Sequence, residues 1–462
     1  MNIATALSHR APAVAGTFFP AQPVPLADAV NAAVSATADQ IRGTPRAIIS
    51  PHAGYRFCAN IIAAAWRTTA TAAPDRIVIL SPSHRHRFRG IALPREAVFA
   101  MPGFEVALDA PACDALRAEG LATVDNAAHD SEHGIETQLP FLNRYHPGVP
   151  VVPLVIGEAE VIRVAAVIDF LAAFNGGSTL FVLSSDLSHF LPRANAEQHD
   201  ADTARMIELA NWSQLTGRHA CGHRAIAGFL ASDVGAGLRG LRLQMGNSSI
   251  AHGDAERTVG YGAWAMCPPS EDCLSPRSKA ELLRVARSGL RSYLRKGRHP
   301  RVDVGSFPSP MRSHAATFVT LQKDGRLRGC IGSLAAHKPM IADVVDNAIK
   351  AGRSDPRFRP VQAGELEDID LKIAVLSAAR GMTFADQADL EAQLSPGCDG
   401  LILSSGTHRG TFLPMVWDSL RDPHAFVEGL KVKAGLPKGY WSDDLRVERF
   451  HTESFAEGDI LR

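Results

Sequence analysis

The chain has 462 residues, 46% hydrophobic and 21% charged, an ordinary globular composition with material for two or three cores. Its 48 Lys and Arg balance 48 Asp and Glu, so no bulk charge directs it to nucleic acid or an anionic membrane, although the run from Arg284 to Arg301 is locally basic. No stretch of about 20 apolar residues is free of charge, which argues against a transmembrane helix, and Met1 to Gly16 lacks the apolar core of a signal peptide. Seven Cys stand at 58, 113, 221, 267, 273, 330 and 398, an odd number without zinc-ribbon spacing. That pattern argues against a disulfide framework and for a reducing, cytoplasmic setting.

Short apolar runs alternate with helical patterns through the first half. Strands are predicted at Ala47–Ser50, Arg76–Leu80, Val151–Ile156 and Leu180–Leu183, and helices at Ile61–Thr68 and Val161–Phe174. Strands apolar throughout are buried on both faces, so this half reads as α/β with a central, mostly parallel sheet. After a strand-like run at Val259–Met266, the polar, Pro-rich stretch from Cys267 to Pro276 reads as a linker. The expected division is therefore a domain over 1–268, a linker over 269–277 and a second domain over 278–462. In the second, Thr317–Leu321 runs into a turn with Asp324-Gly325 at its tip. Further strands are expected at Leu371–Leu376 and Gly400–Leu403, and helices at Lys279–Leu294, Met340–Ala351 and Pro423–Ala434, an α+β mixture.

In open α/β sheets the ligand crevice lies at the carboxyl ends of the strands. His52, His84 and Asp186 stand just beyond three such ends, each after a short polar or Pro step. His133, in Asp130-Ser131-Glu132-His133-Gly134-Ile135-Glu136, and His189, in Ser185-Asp186-Leu187-Ser188-His189, lie among carboxylates and hydroxyls able to orient an imidazole and tune its pKa. For His133 the plainer reading is a solvated helix start at Asp130, Glu132 and Glu136. A mononuclear catalytic metal needs about three protein ligands and open positions. His52 and His84 supply two; Cys221, followed by Gly222-His223-Arg224, is a third candidate as a thiolate favoured by Arg224, with Asp186 and His223 as competitors.

These residues carry a resemblance. Ala15-Gly16-Thr17-Phe18-Phe19-Pro20, Pro51-His52-Ala53-Gly54-Tyr55, Ser81-Pro82-Ser83-His84, Glu132-His133-Gly134-Ile135-Glu136, Ser184-Ser185-Asp186-Leu187-Ser188-His189 and Cys221-Gly222-His223 occur in the order seen in the Memo family, AmmeMemoRadiSam system protein B, so residues of about 10–267 resemble that family. The family is similar in fold to class III extradiol dioxygenases, which hold Fe(II) with two His and one Glu. The resemblance implies His52 and His84 as the two His ligands, Cys221 in place of the carboxylate ligand, His189 as the acid–base residue and His133 in the substrate pocket. Iron(II) is the expected metal, and the thiolate makes copper the alternative.

Leu327-Arg328-Gly329-Cys330-Ile331-Gly332, Asp355-Pro356-Arg357-Phe358, His408-Arg409-Gly410-Thr411-Phe412-Leu413-Pro414 and Lys433-Ala434-Gly435-Leu436 resemble the AMMECR-type domain, AmmeMemoRadiSam system protein A. The family name implies a separate radical S-adenosylmethionine protein as partner. Read from its residues alone, Cys330 lies between two Gly that allow a ligand close approach, with Arg328 to favour a thiolate and His408 as a candidate helper; His314, Asp355 and Arg357 are candidates to complete a pocket. An inert buried Cys at a tight turn fits the same residues.

Two classes of function follow. One is a metal-dependent oxidoreductase of dioxygenase-like descent acting on a small molecule or a modified peptide, with His189 and Asp186 near the chemistry. The other is a peptide- or protein-binding scaffold, or a metal-handling protein, with a vestigial site. A maturation factor with an intermediate on Cys330 is a third reading.

Overall fold

The computed structural model describes residues 8–38, 40–268 and 273–460. The chain divides into two compact units, Met1–Ala236 with Gly240–Cys267, and Gly237–Arg239 with Pro268–Arg462. The first is built on strands β1 (Ala47–Ser50), β2 (Arg76–Pro82), β3 (Val151–Ile156), β4 (Thr179–Ser184) and β5 (Thr258–Cys267). They lie in the order β5-β1-β4-β2-β3 within a nine-stranded sheet. Helix α1 (Tyr55–Arg67) carries the chain from β1 to β2, and α2 (Val161–Ala173) from β3 to β4. Such helical crossovers return the chain to the same end and make the neighbours parallel. Parallel pairing is confined to this centre and one outer pair. β5 runs antiparallel to β1, and Ile91–Leu93 runs antiparallel to β3. The sheet is therefore mixed, parallel at its centre, with an antiparallel neighbour on either side and a further parallel pair at one edge.

Register positions the site. Ser50 at the end of β1 lies opposite Ser184 at the end of β4, and Leu183 lies opposite Leu80 of β2. Three adjacent strands thus end level, and the residues just past them share one edge. Ile48, Ile49, Val78, Ile79, Val182 and Leu183 have no exposed surface, so this edge rests on a fully buried layer.

The second unit is antiparallel in its strand pairings. β6 (Thr317–Lys323) and β7 (Arg326–Gly332) form a hairpin, with Asp324 (φ 52°) and Gly325 (φ 71°) at its tip. Both central residues take the left-handed conformation that a two-residue hairpin turn requires, which explains Asp-Gly there. β8 (Ile369–Leu376) pairs with β6, giving a four-stranded sheet; a second sheet holds β9 (Gly400–Ser405), β10 (His408–Phe412) and β11 (Arg446–Phe450). Helices α4 (Pro276–Lys296), α5 (Met340–Arg353) and α6 (Pro423–Lys433) complete the unit.

The linker expected over 269–277 is shorter at its end. Positions 269–272 lie outside the described residues, while Pro276 and Arg277 already belong to α4, where Ser275 accepts the Ser278 N–H at 3.2 Å. Proline at a first helical turn forfeits no hydrogen bond, so a Pro that reads as linker opens a helix. The basic run along α4 is offset by carboxylates, Arg284 with Glu281, Arg287 with Glu457 and Arg291 with Glu367. Among the described residues no helix is long and apolar enough to cross a membrane.

Candidate metal centre

His52 follows β1 and is fully buried. Its backbone N–H donates to Asp186 Oδ1 at 2.8 Å, and Pro51 O accepts from Gln138 Nε2 at 2.8 Å, so the peptide around the ring is held from two sides. Its Nδ1 lies 2.8 Å from Ser184 Oγ, and that hydroxyl donates its one proton to Gly134 O at 2.6 Å. Ser184 must then accept from His52 Nδ1–H, which leaves the Nε2 lone pair free. Burial first, then His84, holds this imidazole well below the usual histidine range, so it stays neutral.

His84 reaches the same point from β2. Its Nδ1 donates to Glu132 Oε1 at 2.8 Å and its backbone N–H to Glu132 Oε2 at 2.9 Å. Nε2 is again free, and a carboxylate on the far nitrogen raises the basicity of a ligating imidazole. Burial pushes Glu132 up, but hydrogen bonds from His84, the charges of His84 and His133, and the Gly134 N–H together bring it down to about 2.

Cys221 stands just before helix α3 (His223–Ala231). Its Sγ is 3.3 Å from His52 Nε2 and accepts the Asp186 N–H at 3.2 Å. The donor atoms of His52, His84 and Cys221 all lie within 4.8 Å of one another. Asp186 and His223, the competing third donors, fall outside that group. Arg224 does not favour a thiolate, as its place in the sequence suggests. Burial, then the Asp186 carboxylate, pushes the Cys221 thiol up instead. The sulfur is held as a neutral thiol by its burial and by that carboxylate.

His84, Glu132 and His133 form a second group of close donors. Glu132 Oε1 is already engaged by His84 Nδ1 and by the His133 and Gly134 N–H groups at 3.0 and 2.9 Å, so it serves to orient rather than to ligate. His133 closes the cluster, its ring centroid 4.4 Å from that of His84 and 5.2 Å from that of His52. Burial first, then His52, lowers it to about 3. The solvated helix start read for this segment is not what forms: Asp130 is exposed, but Glu132 and Glu136 are buried. Glu136 accepts from Arg10 and from the Ala13 and Val14 N–H groups, tying the amino-terminal segment to the site. His189 is half-buried on a short strand paired with Val259 of β5, within electrostatic reach of both His52 and Asp186. The next residue, Phe190, is exposed with φ 59°, a conformation rare for a bulky side chain.

Two residues that the sequence reading did not single out prove central. Ser184 stood in the sequence only as the residue after a strand and the first of a motif, with no role of its own. Gly134 is required because a Cβ there would lie 2.2 Å from Ser81 Oγ and 3.2 Å from His52 Nδ1. Gly134→Ala is expected to destabilise the chain by about 1–3 kcal/mol, an overpacking cost read by urea titration; an unchanged midpoint would show that the cluster yields freely. Glu132→Gln is expected to weaken metal binding about 10–100-fold by releasing His84, measured by chelator competition; an unchanged affinity would remove Glu132 as the orienting group.

A family model described as Memo-like protein matches residues 10–265. The chain belongs to the Memo-like family. An AMMECR1 model matches residues 283–455 of the same chain, so a Memo domain is followed here by an AMMECR1 domain. Among relatives, a protein of Methanothermobacter thermautotrophicus is 36% identical over 192 residues, 40% of this chain and 97% of its own length. One of Thermococcus onnurineus is 34% identical over 38% of this chain and 88% of its own. A solved structure of an uncharacterised protein from Pyrococcus horikoshii matches at 29% identity over 39% of this chain and 92% of its own, with a TM-score of 0.37.

In the AMMECR1 domain the surroundings of Cys330 differ from expectation. Arg328 is not its cation: the guanidinium pairs with Glu365 through two contacts of 3.0 Å. The cations within electrostatic reach of Cys330 are Arg357 and Lys433. Asp355 Oδ2 accepts the Cys330 N–H at 2.8 Å, Arg357 donates to Cys330 O at 3.3 Å, and the Thr320 hydroxyl donates to Sγ at 3.3 Å. The hydrogen bond from Arg357 first holds Asp355 well below the usual carboxylate range. His408 Nδ1 lies 3.2 Å from Ala434 O, beside Lys433, and His314 bridges to Pro339.

Proposed function

We propose that the Memo domain is a mononuclear metal enzyme, with iron(II) as its metal and copper the alternative, held by His52 Nε2, His84 Nε2 and Cys221 Sγ. The observation that carries this reading is the convergence of three donor atoms within 4.8 Å, with both imidazoles presenting a free Nε2. Cys221 Sγ lies 3.3 Å from His52 Nε2, so one ion would be within reach of both. When bound, such an ion acts as a Lewis acid or redox centre for substrate oxygens, in keeping with dioxygenase-like descent.

The chain's own residues supply the rest. Ser184 and Glu132 keep His52 and His84 in the ligating tautomer. His189, partly open to solvent, takes a proton from a substrate hydroxyl at Nδ1 or Nε2. His133 is neutral near pH 7 and lines the substrate side, while Asp186 holds the His52 peptide within electrostatic reach of His189. The substrate class is a small molecule or modified peptide bearing adjacent oxygens. In the AMMECR1 domain Cys330 is the reactive group, with its amide held by Asp355 and its carbonyl by Arg357, and a radical S-adenosylmethionine protein is the partner.

The test is metal content and spectroscopy on anaerobically purified protein. Stoichiometric iron or copper with a thiolate signature supports the centre; its absence moves the reading to a binding scaffold with a vestigial site. His189→Ala is expected to keep the metal and lower turnover at least about 100-fold, the usual weight of a general acid–base group. Undiminished turnover would remove His189 from that role. Selective alkylation of Cys330 should block function while leaving metal bound, and full activity after modification would return it to structure.

A further inference from the structure

Beyond Cys221 the molecule opens into a cleft that the metal donors do not account for. It measures about 130 Å³, close to the roughly 150 Å³ of a cavity that takes one benzene-sized molecule, so a carboxylate or phosphate group fits with room to spare. Cys221 is in its wall, so the cleft adjoins the donor cluster directly. Arg224 from the first turn of α3 and Arg87 from the loop after β2 line it, facing a single carboxylate, Glu158. Arg224 is half-buried and Arg87 exposed, and among the described residues neither guanidinium has a carboxylate partner. His86, also in the wall, is 3.4 Å from Asp125 and is thereby engaged. A concave site with an excess of guanidinium concentrates anions, and Arg suits the planar or branched oxygens of carboxylate and phosphate.

We infer that this cleft is an anion subsite: the substrate carries a carboxylate or a phosphate that seats between Arg87 and Arg224, next to the Cys221 side of the centre. The use of the subsite rests on the metal reading above, but its existence does not, so the test uses metal-free, full-length protein. Iodoacetate and iodoacetamide alkylate the same thiolate with loss of iodide, so their rate ratio cancels the reactivity of the sulfur and reports the local charge. Mass spectrometry of the Cys221 peptide is expected to give a ratio about tenfold in favour of iodoacetate relative to exposed Cys398. Arg87→Gln/Arg224→Gln should bring the ratio to that of Cys398. A ratio equal to that of Cys398 in the wild type, or one retained in the double variant, overturns the inference. If Cys221 resists both reagents, melting temperature decides. Benzoate or phenyl phosphate should raise it in the wild type and not in the double variant, and the larger shift assigns the anion; benzamide should raise neither. Loss of all anion-specific shift in the wild type overturns the subsite while leaving the metal reading untouched.

Discussion

Cys221→Ala is expected to leave the chain folded and to weaken its metal binding by more than about 100-fold, since even a residue that merely orients a ligand is worth 10–100-fold. The variant removes the one donor that becomes anionic, leaving only the two imidazoles on level strand ends. Because burial and Asp186 push the thiol up, its proton must leave when a metal arrives. Affinity should therefore rise with pH, about tenfold per unit, across the whole range in which the free thiol is protonated. The variant loses that slope together with the affinity. Chelator competition at pH 6.5, 7.5 and 8.5 reads both quantities; unchanged stoichiometry with a flat profile would leave Cys221 without a role at the centre.

Mild acid is expected to destabilise the metal-free Memo domain through its buried histidines. His133 is lowered to about 3 and His129 to about 4, burial being the first cause in each, and His52 is lowered too. These groups are neutral in the folded chain and take up protons near pH 6.5 when unfolded. Between pH 6.5 and about 4 the unfolded state binds more protons, so stability falls as pH falls. Each such histidine contributes about 1.4 kcal/mol per pH unit inside that window. Glu132, lowered to about 2, acts in the same direction further down, its contribution present above about pH 4.5 and lost as pH falls toward 2. His129 offers a control away from the donor atoms: Nε2 lies 3.0 Å from Ala92 O, and Nδ1 is buried with no hydrogen-bond partner. Hydrogen exchange on central-sheet peptides in urea, from pH 7.5 to 4.5, reads the loss, and His129→Leu should lower the slope by one histidine's share while His52 and His133 keep theirs. A profile flat to pH 4.5 would show that these rings are already charged in the folded state.

Much of this was legible in the amino-acid order. The apolar runs at Ala47–Ser50 and Val151–Ile156 are strands with those bounds, because burial on both faces leaves no room for polar residues within them. Asp324-Gly325 announced its hairpin through backbone chemistry. Motif order along the first half pointed to the family that the Memo-like match shows. Other elements carried no such local signal. The helix Arg193–Glu208 is mostly polar, and the strand Arg239–Asn247 mixes Arg and Gln among its apolar residues. Neither pattern has a clean period, since each is only partly buried.

By itself, then, the sequence determined which residue types stand past the strand ends and that His52 and His84 belong to one edge. The tertiary structure decided what each of them does. Glu132 meets His84 across 48 positions and Cys221 meets His52 across 169, and Cys330 draws its cations from Arg357 and Lys433 rather than from nearby Arg328. Local order encodes the period of an element and the chemistry of a turn. Tautomer, protonation and the choice of partner depend on burial and on charges brought from distant segments, and those exist only once the sheet has aligned its ends.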